Sequence, residues 1–180
     1  WEDEVNANSL GRIDQILYPY YQRDLEAGRI TPEEAFEVLC CFYLKLYRDY
    51  DVQQCTLGGC DREGNCAVNE LSYKMLDAVE ALDFVRCMSV RVSAHMPEPF
   101  LLRALEVVGR VGKGVPFFFS DDAIIPALAA RGIDIYDARD YAPIGCVEIC
   151  VPGKANAHAV TGKVNALKAL EYALTGGRSL

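Results

Sequence analysis

Three consecutive stretches decide the fold: Met88-Ser89-Val90-Arg91-Val92-Ser93, then 97–110, then Val115-Pro116-Phe117-Phe118-Phe119. The first alternates in strand fashion. The second opens with Pro97 and Pro99, predicts a helix over 100–110, and is closed by Gly112 and Gly114. The third is a short apolar strand, and Ser120-Asp121-Asp122 behind it cap a helix over 123–130. Strands alternating with helices of this length imply an α/β fold, with crossover helices packed outside a strand layer or barrel.

Toward the N-terminus, residues 69–84 predict an amphipathic helix, and the glycines of 53–65, with Asp61-Arg62-Glu63-Gly64-Asn65, predict a loop. Thr31-Pro32-Glu33-Glu34 is a helix start, with Thr31 as N-cap, Pro32 at the first helical position and Glu34 three residues after the cap. The helix it opens carries Ala35, Phe36, Leu39, Phe42, Tyr43 and Leu46 at helical spacing and reaches about Tyr50. Ser9 is expected to open a first helix through Leu10, Ile13, Ile16 and Leu17, kinked or restarted at Pro19 and stopped at Gly28. Toward the C-terminus, residues 133–140 contain a turn of helix, 141–148 read as extended, and Thr161 or Gly162 leads into a last helix through Leu167, Leu170 and Leu174.

With 180 residues, 51% hydrophobic and 24% charged, the chain suits one core-forming body and not a disordered, collagenous or coiled-coil protein. Trp1 in place of Met, and an end just past a helical pattern, lead us to expect a single fragment, 1–180, of a longer catalytic domain. A net charge of −8 with scattered Lys and Arg disfavours nucleic acid as a partner. No apolar run approaches the ~20 residues that span a bilayer, and 1–6 lack the basic-then-apolar order of a secretory signal, so no membrane partner and a cytoplasmic location are expected.

The 8 cysteines do not read as a disulfide framework, because the chain is rich enough in core residues to need none. Cys40, Cys41 and Cys87 lie in apolar runs and read as small buried hydrophobes. Cys55, Cys60 and Cys66 have spacings that fit no zinc pattern, so neither a metal nor a bound cofactor is expected.

Gly145-Cys146-Val147-Glu148 carries the chemistry. In an extended segment, Cys146 and Glu148 would point to one side, and Pro143, Pro152 and Gly153 punctuate the loop that holds them. The residue types alone allow a nucleophile with a base, two metal ligands, or a buried thiol beside an unrelated acid. A carboxylate raises the pKa of a neighbouring thiol, which disfavours a thiolate nucleophile and leaves a neutral thiol as the natural state. A neutral thiol suits hydrogen-atom chemistry. His158 could line the same cavity, His95 reads as surface or cap, and Cys150 as structural. Arg91 could bind a carboxylate or pin the Cys loop, and the structural role is favoured for a central strand.

This stretch resembles the signature of the glycyl radical enzymes related to pyruvate formate-lyase, in the branch of diol and glycerol dehydratases, choline lyase, hydroxyproline dehydratase and aryl decarboxylases. The likeness runs through Ser9-Leu10-Gly11-Arg12-Ile13-Asp14-Gln15, Tyr18-Pro19-Tyr20-Tyr21, Asn69-Glu70-Leu71-Ser72-Tyr73, Ser89-Val90-Arg91, Phe118-Phe119-Ser120-Asp121 and Asp137-Ala138-Arg139-Asp140-Tyr141. It implies part of a ten-stranded α/β barrel, here a helix-rich fragment with short buried strands, and a Cys loop threaded into the barrel.

By that resemblance Cys146 becomes a thiyl radical that abstracts hydrogen from a small hydroxylated or amino metabolite, and Glu148 is its acid/base partner in C–O or C–N cleavage. The pocket would be closed and dry. The radical would reside on a glycine outside 1–180, because no Arg-Val-x-Gly-Tyr-like element occurs here, and a radical S-adenosylmethionine activase would install it. The activase and a second copy of the chain are the implied protein partners. The alternatives are decarboxylation of an aryl acetate, the C-acetyltransferase reaction of the superfamily, and a truncated homologue without catalysis. The C-acetyltransferase is disfavoured because it carries paired cysteines where this chain has Cys-x-Glu.

Overall fold

The computed structural model describes residues 7–47, 52–83, 87–154 and 165–179. Its centre is a parallel sheet of β1 (Ala7–Arg12), β2 (Val52–Gly58), β3 (Cys87–Val92) and β4 (Phe117–Ser120), paired in chain order. The crossovers are α1 (Ile13–Glu26) with α2 (Pro32–Tyr47), then α3 (Glu70–Leu82), then α4 (Glu98–Val111). After β4 come α5 (Asp121–Ala130) and α6 (Ile135–Arg139), an antiparallel hairpin of β5 (Ala142–Ile144) and β6 (Glu148–Cys150), and α7 (Ala166–Leu174), which buries none of its residues. The α/β reading holds, and four parallel strands in sequential order with helices against one face form an arc of an α/β barrel.

The register explains how one sheet serves two purposes. Gln54 pairs with Cys87, Thr56 with Ser89 and Gly58 with Arg91, so these residues share a face, while Cys55, Leu57, Met88 and Val90 share the other. The second set joins Ala35, Leu39, Tyr43, Met75, Leu76, Val79, Phe100, Ala104 and Val107 of the helices in one hydrophobic core. The first set is polar and equally buried, and it faces the β5–β6 hairpin: Ser9 Oγ donates to the Pro143 carbonyl at 2.9 Å and the Cys87 thiol to the Gly145 carbonyl at 3.5 Å.

The helix ends follow local chemistry. Glu34 N–H donates to Thr31 Oγ1 at 3.1 Å and Thr31 N–H to Glu34 Oε2 at 2.8 Å, the reciprocal cap expected there. Asn69 and Ser72 form a second such cap at α3, and Ser72 Oγ also donates to the fully buried Asp14 at 2.5 Å. Gly58 N–H donates to the same Asp14 oxygen at 2.8 Å, so one carboxyl ties α1 to the ends of β2 and α3.

Several expectations need correction. Ser9 and Leu10 do not open a helix; they lie in β1, whose register against β2 shifts between Ser9 and Gly11, and the helix begins at Ile13 and continues through Pro19. Residues 53–58 are not a loop but the body of an interior strand, where ladder pairing on both sides outweighs weak strand propensity. Cys41 is exposed and Cys40 half-buried, because α2 turns Ala35, Leu39 and Tyr43 inward instead. The last helix begins after Asn165, whose side chain accepts from Lys168 N–H, and Thr161 and Gly162 lie outside the described residues. Among the described residues no helix is long and apolar enough to cross a membrane.

Leu57 is fully buried at the centre of the core, so Leu57→Ala is expected to lower stability by about 2–5 kcal/mol, measured by denaturant unfolding.

Candidate active site

The site is built on the hairpin. Tyr141, Ala142, Pro143, Ile144 and Gly145 are buried against the polar face of the sheet, and the chain then turns through 145–147 and returns along β6. Gly145 has φ +59°, the left-handed backbone that the turn requires and that glycine adopts without strain. Cys146 and Glu148 therefore do not stand two apart on an extended strand, as expected; Cys146 is in the turn and Glu148 is the first residue of β6.

The turn still brings the two together. Glu148 Oε2 accepts from the N–H of Cys146 at 3.2 Å and of Val147 at 3.0 Å. Hydrogen bonds from the backbone N–H of Val147, of Glu148 itself and of Cys146 hold the carboxyl below its ordinary value, burial opposing them. Cys146, Val147 and Glu148 are all exposed within this chain, so the closed pocket expected around them is not formed by these residues alone.

The base of the hairpin is fixed by Arg91, which is fully buried. Its Nε and Nη2 take both oxygens of Asp121 at 2.8 and 2.9 Å, its Nη1 donates to the Tyr141 carbonyl at 3.0 Å, and the guanidinium lies 4.0 Å from the centre of the Tyr141 ring. Tyr141 Oη closes the circuit by donating to Asp121 Oδ1 at 2.8 Å. Burial works against the Arg91 charge, but Asp121 and its other neighbours together raise the guanidinium above its ordinary value. Of the two roles open to Arg91, it pins the Cys loop, and the carboxylate it holds is internal.

Arg12 adds a second tie, donating to the Gly58 and Cys60 carbonyls at 3.3 and 2.6 Å and pairing with Asp140 at 3.1 Å, one residue before Tyr141. At the other end of β3, Cys87 lies beneath the turn. Burial pushes its thiol up to about 12, with the neighbouring Cys146 and Glu148 acting in the same direction. Cys150 donates to the Ala142 carbonyl at 3.2 Å across the hairpin, the structural role expected of it. His95 is exposed, and His158 lies outside the described residues. Among the described residues no three His, Cys, Asp or Glu side chains are grouped to hold a metal ion.

Asp121, Tyr141, Arg12, Cys87 and Gln54 were not singled out as site residues. For Cys87 and Gln54 the signal is the polar alternation Cys87-x-Ser89-x-Arg91 and Gln54-x-Thr56, and Arg12, Asp121 and Tyr141 carry no such local signal.

Two predictions follow from this geometry. Arg91→Met leaves Asp121 buried and unpaired, and should cost about 3–5 kcal/mol in unfolding measurements, part of which Arg91→Met/Asp121→Leu restores. In a pH titration followed by carboxyl NMR, Glu148 should remain ionised below the ordinary glutamate range. The contribution of its hydrogen bonds is present above that range and is lost as pH falls through the lowered value, when the Cys146 and Val147 amide signals should shift together.

The chain matches the Pyruvate formate lyase-like family over residues 1–180. It is 33% identical to the (2S)-3-sulfopropanediol dehydratase of Klebsiella oxytoca, over 99% of this chain and 24% of that protein. It is 35% identical to the trans-4-hydroxy-L-proline dehydratase of Clostridioides difficile, over 96% of this chain and 24% of that protein. The crystal structure of a glycyl radical enzyme from Archaeoglobus fulgidus superposes with a TM-score of 0.80 at 35% identity, covering 96% of this chain and 24% of the other. The chain thus spans about a quarter of the length of these relatives, and it belongs to the pyruvate formate-lyase-like family of glycyl radical enzymes.

Proposed function

We propose that residues 1–180 are the middle portion of a glycyl radical lyase or dehydratase, ending after the Cys loop and before the segment that holds the glycyl radical. The observation that carries this reading is the pairing at the hairpin tip: a thiol and a carboxylate on one turn, the carboxylate bonded by the N–H groups of Val147 and Cys146 and held below its ordinary pKa chiefly by the backbone N–H of Val147.

The two groups divide the work. The Cys146 sulfur, once its hydrogen has been removed by the glycyl radical, takes a hydrogen atom from a substrate carbon, forming S–H and leaving the unpaired electron on carbon. The Glu148 carboxylate accepts the proton of the hydroxyl on that carbon, and the neighbouring C–O or C–N bond then breaks. The leaving group departs as water or amine with that proton returned to it. The product radical takes back the hydrogen atom of the Cys146 S–H, which regenerates the sulfur radical. An ionised Glu148 is the form needed to accept that proton. The substrate class is a small hydroxylated or amino metabolite, in line with the dehydratases to which the chain is similar. Further barrel segments of the complete protein cover the tip and exclude water and oxygen from it. A radical S-adenosylmethionine activase is the partner that installs the radical, and a homodimer and a cytoplasmic location complete the reading.

The test is electron paramagnetic resonance and turnover of the complete protein after activation, with diols, hydroxyproline and aryl acetates offered as substrates. A glycyl doublet with elimination of a diol or hydroxy amino acid is the expected outcome. Cys146→Ser should keep the doublet and lose turnover, and Glu148→Gln should lower kcat by about 10²–10⁴-fold. Absence of the doublet removes the enzyme reading, release of carbon dioxide from an aryl acetate replaces elimination with decarboxylation, and normal turnover in either variant overturns the assigned roles.

A further inference from the structure

Beyond the hairpin, the loop between β2 and α3 carries a pair of thiols that the proposed chemistry does not use. Cys60 and Cys66 face each other across an isolated antiparallel bridge. Asp61 N–H donates to the Asn65 carbonyl at 2.8 Å and Ala67 N–H to the Gly59 carbonyl at 2.9 Å, so the hydrogen bonds flank the pair and Cys60 and Cys66 occupy a position without bonds between them. Residues so placed point to the same face, with Cα atoms about 4.5 Å apart. That separation lies within the ~4.4–6.8 Å spanned by disulfides. The connecting turn is well fixed. Asp61 Oδ1 and Oδ2 accept from Asn65 N–H at 2.8 Å and Asn65 Nδ2 at 3.2 Å, and the Asp61 carbonyl accepts from Gly64 N–H at 3.1 Å. Both cysteines are free thiols.

The geometry points to Cys60 and Cys66 as a reversible redox modification site, an intramolecular disulfide formed by exchange with a low-molecular-weight disulfide. Cys66, the more accessible of the two, attacks the small disulfide as its thiolate, forming a mixed disulfide and releasing one small thiol. The Cys60 sulfur then gives up its proton and attacks the Cys66 sulfur, releasing the second small thiol. Two protein thiols are oxidised to one disulfide and the small disulfide is reduced to two thiols, with protons in balance.

The position of the pair gives the reaction a structural consequence. Cys60 Sγ accepts from Arg91 Nη2 at 3.7 Å, and the Cys60 carbonyl accepts from Arg12. Gly59 lies so close over Arg91 that an added Cβ would come within 2.5 Å of its Nε. Cross-linking 60 to 66 therefore closes the loop that roofs the guanidinium holding the Cys146 hairpin. This inference rests on the loop's geometry and is independent of the radical chemistry proposed above.

The experiment treats the complete, folded protein anaerobically with glutathione disulfide, blocks remaining thiols under denaturing conditions and maps the peptides by mass spectrometry. The expected product is a Cys60–Cys66 link, two hydrogens lighter than the reduced peptide and reopened by dithiothreitol. Cys66→Ser, which leaves the Cys60 contact with Arg91 in place, should abolish that link, and Cys60→Ser should do the same while Cys66 accumulates as a mixed disulfide. Full alkylation of both cysteines after oxidation overturns the proposal, as does preferential linkage of either one to a different cysteine.

Discussion

The Arg91 guanidinium, sealed between sheet and hairpin, holds three things at once: both oxygens of Asp121 at the start of α5, the carbonyl of Tyr141 and the face of its ring. A buried charge is tolerated only where its donors are matched and an opposite charge is close, and here the planar fork of arginine meets the carboxylate on two atoms. Because β3, α5 and the hairpin base all end on this one cation, none can shift without stranding a charge. Lysine could not replace it, since one ammonium cannot present paired donors and a stacking plane together.

That constraint accounts for the unusual sheet. Toward the helices it is an ordinary apolar surface, with Leu57, Met88 and Val90 in the core. Toward the hairpin it is polar yet buried, with Thr56 accepting from Ser89 at 3.1 Å and Cys87 donating to Gly145. Ser9, Cys87 and Arg91 on this face anchor the hairpin segment, while Thr56 and Ser89 satisfy each other within the sheet. Gln54 is a fully buried amide in register with Cys87 and, among the described residues, without a hydrogen-bond partner for its Nε2 or Oε1.

The tip of the hairpin follows a different logic from its base. Gly145 sharpens the turn, and Glu148 folds back to satisfy two amide N–H groups that the turn leaves outside any ladder. This restrains the carboxylate beside Cys146 by local bonds alone, while the buried residues 141–145 fix where the tip stands relative to the sheet.

Much of this was legible in the sequence because it depends on neighbours in the chain. Thr31-Pro32-Glu33-Glu34 and the Asn69 start announce their helices, the alternation of 88–93 announces a strand, and Cys-x-Glu between glycine and proline singles out the loop proposed to carry the chemistry. Helix caps and side-chain periodicity are set within a few residues, so composition and spacing suffice to reveal them. What only the tertiary structure decided were the features set by partners far along the chain. Strand β2 exists because β1 and β3 supply its ladder on both sides, and β1 exists because β2 does. The choice of Arg91 as anchor depends on Asp121 and Tyr141, brought to it only when β3, α5 and the hairpin meet. The turn at Cys146 replaces an extended run because β6 can pair back on β5, a contact between residues whose local propensities are equally content with a loop.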